Sequence, residues 1–293
     1  MDDELTERAE RRIGQVISGK YRLDQVLGVG GTAAVFAATH RIGHRVALKM
    51  LHREYSKRDE IRLRFLREGY VANRIAHPGV VRVVDDDADA DGSAYLVMDL
   101  LTGTTIEALL HAPGSGNEGG PSLEVALGIA DATLDVLTAA HAVSVVHRDI
   151  KPANLFLTKL GDLKVLDFGV ARLLDAASIT GTGELWGTAA FMPPEQALGE
   201  RSADHRCDLW AVGAVLFRCL SGREVHEAAS DRQQLVQAAT TPARPLATVA
   251  PHVPKAVCDV VDRALAFRPD QRWESARRMR SALQDAHPYE SLV

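Results

Sequence analysis

The sequence predicts an α+β fold in which strands dominate the first hundred residues and helices the rest. Three observations carry this. Val46-Ala47-Leu48-Lys49 alternates in the manner of a strand. Residues 122–143, SLEVALGIADATLDVLTAAHAV, open on a Ser suited to capping a helix and then repeat Leu, Ile and Val at helical spacing. Residues 229–285 divide into three amphipathic segments, separated by PARPLATVAPHVP and by Arg268-Pro269. Between these regions lies HRDIKPANLFLTKLGDLKVLDFG, His147 to Gly169. It reads as a tight loop, an apolar strand from Leu155 to Leu157, a turn at Gly161-Asp162 and a second strand from Leu163 to Leu166.

Taken in order, residues 1–15 are polar and charged and are expected as a flexible tail, although a short helix is compatible with them. Structure is expected from Val16, with a first strand opening at Tyr21-Arg22-Leu23. Leu27 to Val35, LGVGGTAAV, is a glycine-rich turn of the kind that lets backbone N–H groups approach a phosphate with no Cβ in the way. Gly28 and Gly30 fit that pattern, whereas Ala33 takes the third glycine position. A helix is expected over 58–75, with Leu63, Leu66 and Ile75 as apolar positions, ended by His77-Pro78. Val80–Asp85 and Tyr95–Asp99 read as strands joined by DDDADADG. That turn lacks the terminal Glu of a calcium loop and reads as solvated. Thr104–His111 is expected as a short helix. Residues 112–121, APGSGNEGGP, form a surface loop. Asp208 to Leu220 is apolar on most faces and belongs in a core.

Composition limits the function classes. The chain has 293 residues, 46% hydrophobic and 25% charged, with ample length for a core. A net charge of -5 points away from nucleic acid as an obligate partner. Cys207, Cys219 and Cys258 are far apart, lack metal-ligand spacing and suggest a reducing compartment. The N-terminus is charged where a signal peptide would be apolar, and no apolar run reaches the ~18 residues that span a bilayer. A cytoplasmic protein without membrane insertion is expected.

HRDxKxxN followed by DFG, with a glycine-rich loop and VALK upstream, resembles the eukaryotic-type (Hanks-type) serine/threonine protein kinases, bacterial branch. The resemblance covers residues 21 to about 287. It implies a two-lobed kinase fold: a small β-rich N-lobe over 16–98, a hinge over 99–103 and a larger, mostly helical C-lobe over 104–287, with 288–293 as a tail. It implies ATP and Mg²⁺ (or Mn²⁺) as cofactors and protein substrates as partners. The residue roles are carried over in the same way. Asp149 orients the acceptor hydroxyl and accepts its proton. Lys151 meets the γ-phosphate. Asn154 and Asp167 hold the metal. Lys49 binds the α/β-phosphates and pairs with Glu68. Leu27, Gly28, Gly30, Val35, Ala47, Met98 and Phe156 surround the nucleotide, and the backbones of Asp99 and Leu101 read adenine. Thr188 bonds Asp149 and Lys151, Glu195 of Pro193-Pro194-Glu195 pairs with Arg272, and Asp208 accepts N–H bonds near His147 and Arg148.

Two rivals are weighed against this. A pseudokinase usually lacks the Lys, the loop Asp or the DFG Asp; all three are present. A small-molecule kinase, such as an aminoglycoside or choline kinase, lacks the Ala-Pro-Glu-type segment and the Asp208 and Arg272 supports.

The resemblance also implies autophosphorylation at Thr180 and Thr182, with a homodimer as one route to it. Arg148, Arg172 and Arg64 are expected to converge there, and unpaired arginines brought together favour an anion between them. Glu184, four residues before Thr188, could supply part of that charge permanently.

Overall fold

The computed structural model describes residues 2–112, 120–168, 189–200 and 204–288. They divide into two compact units, one of residues 2–74 and 81–102, the other of 75–80 and the described residues from 103 onward.

The first unit is a six-stranded antiparallel sheet with helices on both faces. Its strands are β1 (Val16–Ile17), β2 (Tyr21–Val29), β3 (Ala33–His40), β4 (Arg45–Leu51), β5 (Val83–Ala88) and β6 (Ala94–Asp99), in the order β1-β2-β3-β4-β6-β5. Period two and the register sort the side chains by face. Ala34, opposite Met50, and Phe36, opposite Leu48, join Leu23, Ala38 and Val97 in one buried cluster. Ala33, opposite Leu51, joins Phe65, Ala94 and Leu96 on the other face.

The second face is covered by α3 (Asp59–Asn73), which follows the single turn α2 (Arg53–Ser56). Helix α3 comes close because of Gly69, where a Cβ would stand 3.1 Å from Val83. The first face is covered by α1 (Asp2–Glu10), in the segment expected as a flexible tail. Two features correct that expectation. Ala9 is only 4% exposed against the sheet. Just beyond the helix, Arg12 bridges Asp89 at 2.8 Å and Asp91 at 3.1 Å. The acidic turn between β5 and β6 is therefore partly engaged rather than simply solvated.

The second unit pairs a small sheet with a helical core. Strands β7 (Gly103–Thr105), β8 (Leu155–Thr158) and β9 (Leu163–Val165) pair in that order. The helix expected from Thr104 begins instead at Ile106, as α4 (Ile106–His111). Thr104 and Thr105 pair with β8, and the Thr105 hydroxyl caps α4 by accepting the Ala108 N–H at 3.1 Å. Gly103 is required there, because a Cβ would lie 2.0 Å from the Leu157 carbonyl oxygen.

Helix α5 (Leu123–Ala142), capped by Ser122, packs against α7 (Arg206–Ser221) and α10 (Ala276–Ala286). Helix α7 is buried along nearly its whole length. The elements α6 (Pro194–Ala197), α8 (Asp231–Thr240) and α9 (Lys255–Ala264) complete the unit. Asp131, fully buried within α5, accepts from Arg280 at 2.9 and 3.0 Å and from Gln284 at 2.8 Å. That carboxylate ties α10 to α5.

Candidate active site

In the second unit, a short loop and the β8–β9 hairpin assemble the acidic centre. His147 is fully buried and works at both ring nitrogens. Its Nε2 lies 2.8 Å from the Leu166 carbonyl oxygen and must donate to it, leaving Nδ1 to accept the Asp149 N–H at 3.2 Å. Its ring meets Phe168 edge-on at 4.7 Å, and Phe168 is itself buried. The loop is thereby joined to both residues that flank Asp167. Arg148 and Asp167 both have left-handed backbones, at φ 67° and 56°. Non-glycine residues hold that conformation only where their surroundings enforce it.

Asp208 supplies part of that enforcement. Fully buried at the start of α7, it accepts the N–H of His147 at 2.9 Å and of Arg148 at 2.7 Å, and meets His141 Nε2 at 2.8 Å. Burial alone would raise the Asp208 carboxyl. The His141 hydrogen bond and charge, with the Arg148 N–H, outweigh burial and hold it below the ordinary carboxylate value.

Asp149 is the focus of the loop. Its Oδ2 accepts from Asn154 Nδ2 at 2.9 Å and lies 3.1 Å from Lys151 Nζ. Asn154, mostly buried, also donates Nδ2 to the Asp149 backbone oxygen at 2.7 Å. Both amide protons are thus spent on Asp149, which turns the Asn154 Oδ1 away from it. The Leu166 N–H donates to the Asn154 carbonyl at 2.9 Å, so Asn154 and the chain entering Asp167 are neighbours. Among the described residues no group of three His, Cys, Asp or Glu forms a closed metal cage. A carboxylate and an amide oxygen suit a hard cation that keeps water or phosphate oxygens as its other ligands.

Below this loop, Glu195 and Arg272 form a buried fork at 2.7 and 2.7 Å. Gln196, the next residue, donates to the Arg148 carbonyl at 3.1 Å. Phe156 lies on β8 and is half-buried.

In the first unit, the register places Val35 opposite Lys49 and Ala47 opposite Met98. Val35, Ala47, Lys49 and Met98 therefore share the sheet face covered by α3. Gly28 pairs with Val35 beside an irregularity in β2, and Leu27 is exposed. Lys49 is 8% exposed. Position 68 falls on the stripe of α3 that contains Phe65, Gly69 and Ala72; the Glu68 side chain lies outside the described residues. Asp99 ends β6, and Leu101 follows it half-buried. Arg64, expected to be an unpaired member of an anion site, is instead paired with Glu60 one helical turn away. Gly169, Arg172, Thr180, Thr182, Glu184 and Thr188 all lie outside the described residues.

The family model for the protein kinase domain matches residues 21–287. The chain belongs to that family. This kinase domain is 38% identical over 274 residues to the serine/threonine-protein kinase Pkn1 of Myxococcus xanthus, covering 92% of this chain and 38% of the relative. It is 35% identical over 269 residues to the serine/threonine-protein kinase PknA of Mycobacterium tuberculosis, covering 90% of this chain and 60% of the relative. The chain thus spans between about two-fifths and three-fifths of these two relatives. The crystal structure of the Mycobacterium tuberculosis PknI kinase domain superposes with a TM-score of 0.72 at 25% identity, over 94% of this chain and 98% of that one. Its fold is that of a bacterial Hanks-type kinase domain.

Two supports for the loop went unread in the sequence. His141 reaches Asp208 from α5, where its place six residues before His147 was the available signal. Gln196 directly follows the Pro-Pro-Glu triplet. Among the described residues no helix is long and apolar enough to cross a membrane.

Proposed function

We propose that this kinase domain transfers the γ-phosphoryl group of ATP to serine and threonine hydroxyls of proteins. The observation that carries the reading is the Asp149 carboxylate held between Asn154 and Lys151, at 2.9 and 3.1 Å. Fixed in this way, Asp149 orients an acceptor hydroxyl. It takes that hydroxyl's proton as the new O–P bond forms and the bond from the γ-phosphorus to the leaving ADP oxygen breaks. Lys151 offsets negative charge on the transferring group.

Lys49 holds the α/β-phosphates and Glu68 holds Lys49. Gly28 and Gly30 let loop N–H groups reach phosphate. Leu27, Val35, Ala47, Met98 and Phe156 contact the nucleotide, while the backbones of Asp99 and Leu101 read adenine. Asn154 and Asp167 would hold Mg²⁺ or Mn²⁺, which when bound neutralises phosphate charge. Thr188 positions Asp149 and Lys151; Glu195, Arg272 and Asp208 keep the loop in place.

The proposal extends to autophosphorylation at Thr180 and Thr182, through a transient homodimer, in the cytoplasm and without nucleic acid or membrane insertion. The test is transfer of label from γ-labelled ATP and Mg²⁺ to a generic protein such as myelin basic protein, beside a panel of small alcohols. Label on Ser and Thr supports the reading. ATP binding without transfer would make the chain a pseudokinase, and label on an alcohol would make it a small-molecule kinase; either overturns the proposal.

A further inference from the structure

His52 follows directly on β4, the strand that carries Lys49. It occupies the N-cap position of α2, where Ser, Thr, Asp or Asn would bond the first turn of a helix. Its side chain makes no such bond. Its ring turns instead to the glycine-rich loop, with Nε2 2.8 Å from the Gly30 carbonyl oxygen. A carbonyl oxygen only accepts, so Nε2 carries the proton. The His52 backbone N–H donates to the Thr32 carbonyl at 2.8 Å, extending the β3–β4 ladder by one step. The Gly30 N–H closes the turn on the Ala33 carbonyl at 2.9 Å. One residue thus grips the loop at two carbonyls, two positions apart. Gly30 has no side chain that could be held in its place.

The consequence follows from peptide geometry. In a trans peptide the C=O and the following N–H point in opposite directions. Fixing the Gly30 carbonyl towards His52 therefore fixes the Gly31 N–H pointing away from it, as a donor of set direction. Helix α2 is in turn anchored: Glu54, two residues after His52, is bridged by Arg8 of α1 at 3.2 Å.

We propose that His52 is a positioning residue for the phosphate-covering loop, holding the Gly30–Gly31 peptide so that its N–H faces the nucleotide. This rests on the reading that residues 27–35 cover the phosphates of ATP. His52 touches neither nucleotide nor acceptor in this account and acts through the loop alone.

Two variants of the full chain separate positioning from packing. His52→Phe keeps a ring and removes the donor. His52→Gln restores an N–H donor at a similar reach. In ligand-free protein, hydrogen exchange of the peptide covering residues 26–35 should quicken about threefold or more in His52→Phe and stay near wild type in His52→Gln. With γ-labelled ATP, His52→Phe should raise the KM for ATP about fivefold, the scale of one hydrogen bond, with kcat changed less than about twofold, and His52→Gln should recover most of the loss. Wild-type exchange rates in His52→Phe would overturn the clamp. Faster exchange with an unchanged KM would overturn its positioning role, as would His52→Gln behaving like His52→Phe. Wild-type protein that binds no ATP would overturn the kinase reading instead, and the exchange arm would still decide whether the clamp exists.

Discussion

Removing one member of the Glu195–Arg272 pair should destabilise the second unit far more than removing both. The Arg272 guanidinium has five N–H groups, and each has an acceptor. Two go to Glu195 at 2.7 Å each, one to Ala266 at 2.8 Å, one to Phe267 at 3.1 Å and one to Arg206 at 3.3 Å. The Arg272 side chain is fully buried and that of Glu195 is 6% exposed. Glu195→Ala would leave a buried cation with two orphaned donors and no counter-charge, at a cost of about 3–5 kcal/mol. For a unit of this size that lowers the melting temperature by roughly 10 °C. Arg272→Met should cost a similar amount, because it strands the carboxylate. The double variant Glu195→Ala/Arg272→Met leaves no buried charge and should melt above either single variant. Calorimetric melts of the four proteins give the coupling directly. Single variants within about 1 kcal/mol of wild type, or fully additive losses, would refute the reasoning and reduce the pair to an exposed-type salt bridge.

Three other outcomes follow. Ala33→Gly should lower stability by about 1–2 kcal/mol in a thermal melt, since it deletes a buried methyl and adds glycine to a strand. ATP KM should change only modestly, and a tenfold gain in affinity would show that Ala33 impairs the loop. Arg12→Ala should loosen α1 and cost on the order of 1 kcal/mol by denaturant titration, with the loss fading at high salt. An unchanged midpoint would show that the two aspartates do not anchor the helix. Finally, mass spectrometry of active protein should find phosphate on Thr180 or Thr182, and Thr180→Ala/Thr182→Ala should lower activity further when Glu184→Ala is added. Absence of modification together with a harmless Glu184→Ala would end that account.

Residue types carried most of the fold and the loop, and the failures have physical causes. The three C-terminal amphipathic segments and the long apolar helix α5 were legible because periodicity survives without knowledge of the partner. Helix α1 was not, since Arg8 finds its partner in Glu54, 46 residues away, and Arg12, just beyond the helix, finds Asp89, 77 residues away. Composition alone cannot distinguish that from a solvated tail. Asp131 is a similar case: an Asp within a helix reads as exposed until Arg280, 149 residues later, is placed beside it. The expected start of α4 at Thr104 failed because two threonines adjoining a strand partner prefer pairing and capping to helix. The reading of Arg64 as an unpaired cation overlooked Glu60, a neighbour at helical spacing. Contacts made by backbone, such as those assigned to Asp99 and Leu101, leave no residue signature at all.

Phosphoryl transfer by Asp149→Asn decides whether Asp149 carries the acceptor chemistry of this kinase domain. The substitution keeps the shape of the side chain and removes the charge facing Lys151 Nζ at 3.1 Å. Label transfer from γ-labelled ATP to a protein acceptor should fall by about 10²–10⁴-fold, with the melting temperature and nucleotide affinity near wild type. Lys49→Met, measured alongside, should lose transfer through weakened nucleotide placement. A folded, ATP-binding Asp149→Asn protein that transfers phosphate at the wild-type rate would contradict the account.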